Sequence, residues 1–136
     1  MKVLLRWLDI AVYLVFLAFA LYLGPRTSAW YAGLCLALVT VPFWFVARWQ
    51  LGASFSVRPK AHELVTTGIY SKIRHPVYVF GGLAWLGALL ALLGWPALTI
   101  GLILGVGEFP RARREERVLA ATFGQEYTDY RSKTWF

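Results

Sequence analysis

The chain has 136 residues, of which 59% are hydrophobic, and it carries a formal net charge of +7. The apolar residues fall in long blocks, which excludes an ordinary soluble domain and is typical of a polytopic membrane protein. The basic residues lie beside these blocks, so they indicate membrane topology and attraction to anionic lipids and argue against nucleic-acid binding.

Four apolar segments predict an all-α bundle of about four transmembrane helices in a single membrane domain over residues 1–136. Crossing the hydrocarbon core takes about 20 helical residues. The expected spans are 4–23, 29–50, 77–93 and 97–109. The first apolar run is too long for the core of a signal peptide, so we expect a retained anchor. Asp9 is expected at the interface or paired with Arg6, and a role inside the bilayer is the less favoured alternative.

A polar connection over residues 52–76 separates the second and third spans. Its Pro59, Gly68 and Pro76 argue against one continuous helix. Loops of this length are uncommon unless they are functional or disordered, and the apolar residues within this one argue against disorder. We therefore expect a loop that folds over the end of the bundle, with Pro76 opening the third helix as a first-turn proline.

From Pro110 onward the chain is polar, and a helical stripe predicts a tail helix at 111–123 that continues from the fourth span and stops at Gly124. Ten of the 14 Lys and Arg residues lie in the central connection and the tail, whereas the turns at the opposite ends of the spans hold one. The positive-inside rule then places both termini, the loop and the tail on the cytoplasmic side.

The connection carries a first group of candidate binding residues, namely His62, Leu64, Val65, Gly68 and Tyr70. Glycine adopts backbone conformations that other residues avoid, so Gly68 predicts a sharp turn whose amides can hold a carboxylate or a ribose hydroxyl. Tyr70 can stack on an adenine or donate a hydrogen bond. From the pattern alone, a plain interfacial turn with an anchoring tyrosine is the better interpretation.

A second group is Arg74-His75-Pro76, with Tyr78 two residues later. His75 precedes the expected helix start, where free backbone N–H groups and the positive end of the helix dipole attract an anion. The two histidines stand thirteen residues apart and Cys35 is the only cysteine. That is not a usual set of metal ligands, so we expect no metal site.

A third group begins the tail helix, and its members are Arg111, Arg113, Arg114, Glu115 and Glu116. Two adjacent carboxylates cannot both face one way on a helix. We expect one to hold a cationic group and the other to pair with an arginine one turn away, such as Arg111 with Glu115. By pattern alone, a solvated charged face is the favoured alternative.

Together these motifs resemble the isoprenylcysteine carboxyl methyltransferase family, which belongs with the phospholipid methyltransferases. The likeness covers about residues 52–131. The residues that carry it are His62-x-Leu64-Val65-Thr66-Thr67-Gly68-x-Tyr70, Arg74-His75-Pro76-x-Tyr78, Glu115-Glu116 and Phe123-Gly124-x-Glu126-Tyr127-x-x-Tyr130.

The resemblance implies a multi-pass enzyme of the bacterial inner membrane or an equivalent membrane, with S-adenosylmethionine as cofactor and a cytoplasmic active site. The implied cofactor contacts are His62, Glu63, Leu64, Val65, Tyr70, His75, Pro76, Val77, Tyr78, Gly81, Glu115 and Glu116. Glu115 matches the residue that holds the amino end of the cofactor, and Arg111 matches the residue that faces the acceptor carboxylate. One departure is Phe80, which stands where the family favours glycine; Gly81 follows one residue later, a rotation of about 100° on a helix.

The implied reaction is direct methyl transfer from a sulfonium to a lipophilic acceptor, either an isoprenylcysteine-type carboxylate or a lipid head group. A carboxylate is already ionised and needs no base, and Arg111 would orient it. An amine or hydroxyl needs a proton acceptor, for which Glu108, Glu115 and His75 are candidates. The sequence does not choose between these acceptors, and a homodimer that completes the pocket is a further alternative.

Two other functions are kept as alternatives. Membrane reductases resembling steroid 5α-reductases also carry Arg-His-Pro, but they favour Asn after the proline, where Val77 stands, and a glutamate soon after the tyrosine, where the chain has Phe80 and glycines. A small bundle that binds or transports lipids without catalysis is the second alternative.

Overall fold

The computed structural model describes residues 2–52 and 64–135, with the side chains of the first helix described from Trp7 onward. Every regular element in these ranges is helical. The elements are α1 (Lys2–Leu23), α2 (Ser28–Leu51), a 3-10 helix (Gly68–Ser71), α3 (Pro76–Leu93), α4 (Ala97–Phe123) and α5 (Gln125–Ser132). The all-α prediction is confirmed.

Local chemistry explains where these helices begin and end. The Thr27 hydroxyl caps α2 by accepting a hydrogen bond from the backbone N–H of Trp30. Pro76 occupies the first turn of α3, where its missing N–H costs nothing. Gly94 and Gly124 end α3 and α4 with φ of 75° and 52°, in the left-handed region that favours glycine. The predicted stop at Gly124 is therefore found.

Helix α4 is continuous from Ala97 to Phe123 and passes through Pro110. The predicted fourth span and the predicted tail helix are thus one element, as expected. After Gly124 the chain forms α5, a short helix that the sequence pattern did not predict.

Helix α3 lies at the centre, packed along α2 on one side and touched by α1 and α4 on others. The seam between α2 and α3 is built from small residues. A Cβ atom placed on Gly87 would lie 2.6 Å from the carbonyl oxygen of Gly33 and 3.2 Å from the Cβ of Ala37. The two backbones are therefore in direct contact, as small residues allow between membrane helices.

Aromatic rings fix α1 to this pair of helices. Tyr13 is fully buried, and its ring meets those of Trp44 and Trp85 nearly at right angles, with centroids 5.4 and 5.3 Å away. Edge-to-face contacts of this kind are favourable because the positive ring edge meets the negative ring face. The cluster is the core of the bundle.

Asp9 pairs with Arg48 near the end of α2. The side chain of Arg6, the alternative partner expected from the sequence, lies outside the described residues. The two guanidinium Nη atoms of Arg48 donate to the two carboxylate oxygens of Asp9, one of them at 2.6 Å. Arg48 is only 5% exposed. A buried cation needs such a partner, because an unpaired one would carry a large desolvation cost.

Among the residues whose side chains are described, α2 and α3 are long and apolar enough to cross a membrane, and the described part of α1, Trp7–Leu23, is a shorter apolar stretch. Large apolar side chains also face outward on α2 and α4, among them Leu38 and Leu102. Exposed apolar surface of this extent is unusual on a soluble monomer. The count of four spans stays a prediction.

Candidate active site

The candidate site lies at one end of the bundle, where α2 finishes and α3 begins. The chain turns at Gly68, which has φ of 62°. The side-chain amide of Gln50, at the end of α2, accepts a hydrogen bond from the backbone N–H of Ile69 at 2.9 Å. The same amide occupies the space where a Cβ of residue 68 would stand. Gly68 is therefore needed both for its backbone angle and for this contact, as the predicted sharp turn requires.

Helix α5 and the residues after it clamp this turn from the other side. The Tyr130 hydroxyl donates a hydrogen bond to the carbonyl oxygen of Tyr70 at 2.7 Å. The backbone N–H of Trp135 donates to the carbonyl oxygen of Lys72 at 2.9 Å. The turn is thereby held between Gln50 and the C-terminal residues.

Tyr70 is 5% exposed and lies inside this clamp. Burial, and after it the negative charge of Glu115, raises the pKa of Tyr70 well above the ordinary value of a tyrosine. The Tyr70 hydroxyl therefore keeps its proton to a higher pH than an ordinary tyrosine, and in this form it can donate a hydrogen bond.

The two adjacent glutamates of α4 have different partners at the start of α3. Glu115 Oε2 accepts a hydrogen bond from the Tyr78 hydroxyl at 2.9 Å. Glu116 Oε1 lies 3.3 Å from His75 Nε2 and 3.3 Å from Arg74 Nε. The structure thus brings two of the three predicted groups together, and the acidic pair joins α4 to the turn and to α3.

The prediction of an ion pair between Arg111 and Glu115 is wrong. Arg111 Nη1 instead lies 3.7 Å from Glu108 Oε2, and both side chains are about half exposed. The Arg111 guanidinium also stands 5.5 Å from the centre of the Tyr78 ring. The Glu115 carboxylate is hydrogen-bonded to the Tyr78 hydroxyl of α3, and Arg111 lies at the surface.

Several predicted contacts occupy the edges of this site. Leu64 and Val65 are partly buried ahead of the turn, and Pro76 is fully buried at the start of α3. Val77 packs against the aromatic core. His62 and Glu63 lie outside the described residues. Among the residues that are described, no group of three His, Cys, Asp or Glu side chains could hold a metal ion.

Phe80, which stands where the family favours glycine, has a packing role in the structure. Phe80 stacks on Phe43 of α2 with ring centroids 5.1 Å apart. A Cβ on Gly81 would lie 2.9 Å from Trp44 Nε1, so Gly81 serves the packing of α3 on α2. Gly82 has open space around its α-carbon and is the position with clearance. The role of Gly81 as a cofactor contact stays a prediction.

Sequence reasoning gave no role to Gln50 or to the two tyrosines of α5. The signal for the tyrosines was present, since Tyr127 and Tyr130 stand three residues apart after a helix-stopping glycine and both are buried. Residues at that spacing share one face of a helix.

A family model described as phospholipid methyltransferase matches residues 28–126, which is most of the chain. The chain belongs to this family. The matched range runs from the start of α2 to the start of α5 and includes the turn and the acidic pair. The predicted resemblance is confirmed.

Two curated relatives of this chain share one protein name. The protein-S-isoprenylcysteine O-methyltransferase of Schizosaccharomyces pombe is 41% identical over 91 residues, covering 62% of this chain and 38% of the relative. The protein of that name from Rattus norvegicus is 33% identical over 109 residues, covering 75% of this chain and 38% of the relative. The chain spans under two fifths of the length of these relatives.

A solved structure shares the fold. The eukaryotic intramembrane Ras methyltransferase, an isoprenylcysteine carboxyl methyltransferase, superposes with a TM-score of 0.73 at 23% identity. The likeness covers 93% of this chain and 49% of that protein. The arrangement of helices described above is therefore that of about half of a known membrane methyltransferase.

Proposed function

We propose that this protein is an integral membrane methyltransferase that transfers a methyl group from S-adenosylmethionine to a lipophilic acceptor. One observation carries the proposal: Glu115 and Glu116 of α4 are held against Tyr78 and His75 at the start of α3. These contacts join two of the sequence motifs that carry the family resemblance, Arg74-His75-Pro76-x-Tyr78 and Glu115-Glu116.

The residues at the bundle end suit the proposed cofactor. Glu115 presents a carboxylate, fixed by the Tyr78 hydroxyl, to the amino end of the donor. The sharp turn at Gly68 and the Tyr70 hydroxyl lie at the same end of the bundle, and we propose that they contact the nucleoside. We also propose that His62, Glu63, Leu64 and Val65 line the same pocket. When bound, the cofactor supplies an activated methyl group on a positively charged sulfur.

An open apolar surface on α4 supports a lipophilic acceptor. Its lining residues are Gly101, Leu102, Gly105, Val106, Phe109 and Pro110. This surface ends one residue before Arg111, whose guanidinium lies over the Tyr78 ring. A molecule with a hydrocarbon tail and an anionic head can thus place its tail along α4 and its head at Arg111.

The chemistry asks the protein for orientation and exclusion of water more than for proton transfer. With a carboxylate acceptor, one carbon–oxygen bond forms as the sulfur–methyl bond breaks, and no proton moves. Arg111 orients that carboxylate. With an amine acceptor, a proton must leave, and Glu108 is the exposed carboxylate beside Arg111 that can receive it.

We further propose that four helical segments span the membrane with both termini and the site on the cytoplasmic face. The distribution of Lys and Arg along the chain supports this orientation. Single-cysteine labelling from either side of sealed vesicles, on a Cys35→Ala background, tests it. Cysteines introduced at Ser71 and at Thr99 should react from opposite sides.

The direct test of function is a labelled-methyl assay of the purified protein in detergent. Isoprenylated cysteine, phosphatidylethanolamine and small lipophilic acids serve as acceptors. Product with any of them supports a methyltransferase, and the pattern identifies the acceptor. Binding of S-adenosylmethionine without turnover on any acceptor would favour a lipid-binding bundle, and binding of a reduced nicotinamide cofactor instead would favour a reductase.

A further inference from the structure

A large aromatic side chain lies on the surface beside the turn at the bundle end. The Trp135 side chain is 78% exposed. The backbone N–H of Trp135 donates a hydrogen bond to the carbonyl oxygen of Lys72 at 2.9 Å. Thr134, the residue before it, is buried, and its hydroxyl donates to the carbonyl oxygen of Arg131 at 3.2 Å. The backbone is therefore held in place while the indole ring faces outward.

Hydrogen bonds place this ring near the ends of two apolar helices. Gln50, in the last turn of α2, binds the N–H of Ile69, and the carbonyl oxygen of Ile69 accepts a bond from the N–H of Lys72 at 3.2 Å. Lys72 precedes Pro76, the first residue of α3, by four residues, which span at most about 14 Å. Trp135 thus lies near the ends of both helices that are long and apolar enough to cross a membrane.

A second exposed tryptophan marks the same end of the bundle. Trp49 directly precedes Gln50 in α2, and its side chain is 69% exposed. Tryptophan is enriched where a membrane meets water, because the indole combines an apolar body with a polar N–H. A position at the membrane surface accounts for both exposed rings.

Three exposed cations belong to the segment that carries Trp135. They are Lys72, Arg131 and Lys133. Lys72 is joined to Trp135 by the backbone hydrogen bond, Arg131 stands in the last turn of α5, and Lys133 follows that helix directly. An indole with neighbouring cations matches the chemistry of an anionic lipid surface, which offers both phosphates and an apolar layer.

The acidic residues of α5 lie toward its start. Glu126 stands in the first turn, and Asp129 accepts a hydrogen bond from the Gln125 side chain at 2.9 Å. The charge along α5 therefore changes from acidic at the start to basic at the end. Cations at the end of a helix are favourable for its dipole. That effect does not account for Lys72, which belongs to the turn, or for the exposed ring.

We propose that Trp135, Lys72, Arg131 and Lys133 form a surface that binds the anionic head groups of the leaflet at this end of the bundle. The indole lies among the head groups, and the three cations contact lipid phosphates. The surface attaches α5 and the Gly68 turn to the membrane. This inference goes beyond the proposed methyl transfer and does not depend on it.

The test measures how lipids quench the fluorescence of Trp135. Trp135→Phe keeps the backbone N–H that binds Lys72, so the emission of the wild type minus that of this variant reports the indole alone. Both proteins are placed in nanodiscs of brominated phosphatidylcholine, with or without brominated phosphatidylglycerol, the anionic probe. Thermal unfolding of the two proteins should coincide, because the tail keeps its hydrogen bonds.

We expect the Trp135 emission to be quenched, and more strongly with the anionic lipid. Titration of phosphatidylglycerol into the protein in detergent, read by the same difference, gives an apparent affinity. Lys133→Gln should weaken it about fivefold, since one cation near an anionic surface contributes about that factor. The matched control is Arg117→Gln, which removes an equal charge from the exposed side of α4. It should weaken the affinity by less than about twofold.

Absence of Trp135 quenching in both kinds of nanodisc would overturn the inference. Equal quenching with and without phosphatidylglycerol would also overturn it, since the cations would then contribute nothing. Equal losses of affinity in Lys133→Gln and Arg117→Gln would overturn it as well, because net charge alone would then attract the lipid. Methyl transfer measured on the same preparations tests the proposed function separately.

Discussion

The α2–α3 seam and the polar end of the bundle are held together in opposite ways. At the seam, Gly33 and Gly87 bring two backbones into contact, and no side chain lies between them. At the polar end, single hydrogen bonds and ion pairs connect residues that are far apart in the sequence, such as Tyr78 with Glu115. The seam depends on shape and tolerates no added atom, whereas the polar end depends on a few pairs that can be removed one at a time.

The largest effect is expected at the seam. Gly87→Ala adds one methyl group where the carbonyl of Gly33 already stands, so the helices must separate. We expect a loss of about 3 kcal/mol in the free energy of unfolding, as for overpacked cores. Gly82→Ala is the matched control on the same helix, with open space around it. It should be neutral or stabilise by up to about 1 kcal/mol through helix propensity. Denaturant unfolding in detergent measures both, and equal costs would disprove contact at the seam.

The next effect concerns the ion pair between α1 and α2. Asp9→Asn removes the carboxylate charge that both Nη atoms of the buried Arg48 guanidinium contact. Because Asp9 is 40% exposed, water compensates part of the loss, and we expect a cost of about 2 kcal/mol. The control is Glu108→Gln, in the half-exposed pair with Arg111, which should cost less than about 0.5 kcal/mol. Thermal unfolding measures both variants. A similar loss of stability in Asp9→Asn and Glu108→Gln would contradict the assignment of Asp9 and Arg48 as a buried pair.

A smaller effect is expected from Glu116→Gln. The change removes the charge that faces His75 and Arg74 but keeps a side chain of the same shape. We expect a cost of about 1 kcal/mol in the free energy of unfolding, the typical net value of such a contact. Glu126→Gln, on the exposed side of α5, is the control and should change nothing measurable. If Glu116→Gln leaves the free energy of unfolding unchanged, the acidic pair does not stabilise the start of α3.

The last effect is absent at neutral pH and appears only in alkaline solution. Burial, and after it the charge of Tyr127, raises the pKa of Tyr130 to about 12. Between the ordinary tyrosine pKa near 10 and this value, the folded state keeps a proton that the unfolded state releases. Stability is therefore fully present below pH 10 and falls as the pH rises toward 12. Unfolding midpoints from pH 8 to 12 should decline less steeply for Tyr130→Phe than for the wild type, and parallel curves would contradict the shift.

The difference between the two regions also explains what the sequence could predict. Helix positions, the turn at Gly68 and the stop at Gly124 follow from local chemistry, and the structure has them where expected. Partners at the polar end depend on how separate helices meet. The i, i+4 spacing predicted an ion pair between Arg111 and Glu115. The Glu115 carboxylate instead accepts a hydrogen bond from Tyr78, which belongs to another helix. The pairing of Asp9 with Arg48 of α2 likewise could not be predicted from neighbours in the sequence, because it depends on how α1 and α2 pack.

Glu115 is the residue that is proposed to hold the donor at the bundle end. Calorimetric titration of S-adenosylhomocysteine into the wild type, Glu115→Gln and the control Glu126→Gln tests this directly. We expect binding by the wild type and the control, and a roughly 10- to 100-fold loss of affinity in Glu115→Gln, because a charged hydrogen-bond partner of the ligand's ammonium is removed. Equal affinity of all three proteins, with each still folded, would contradict the proposed site.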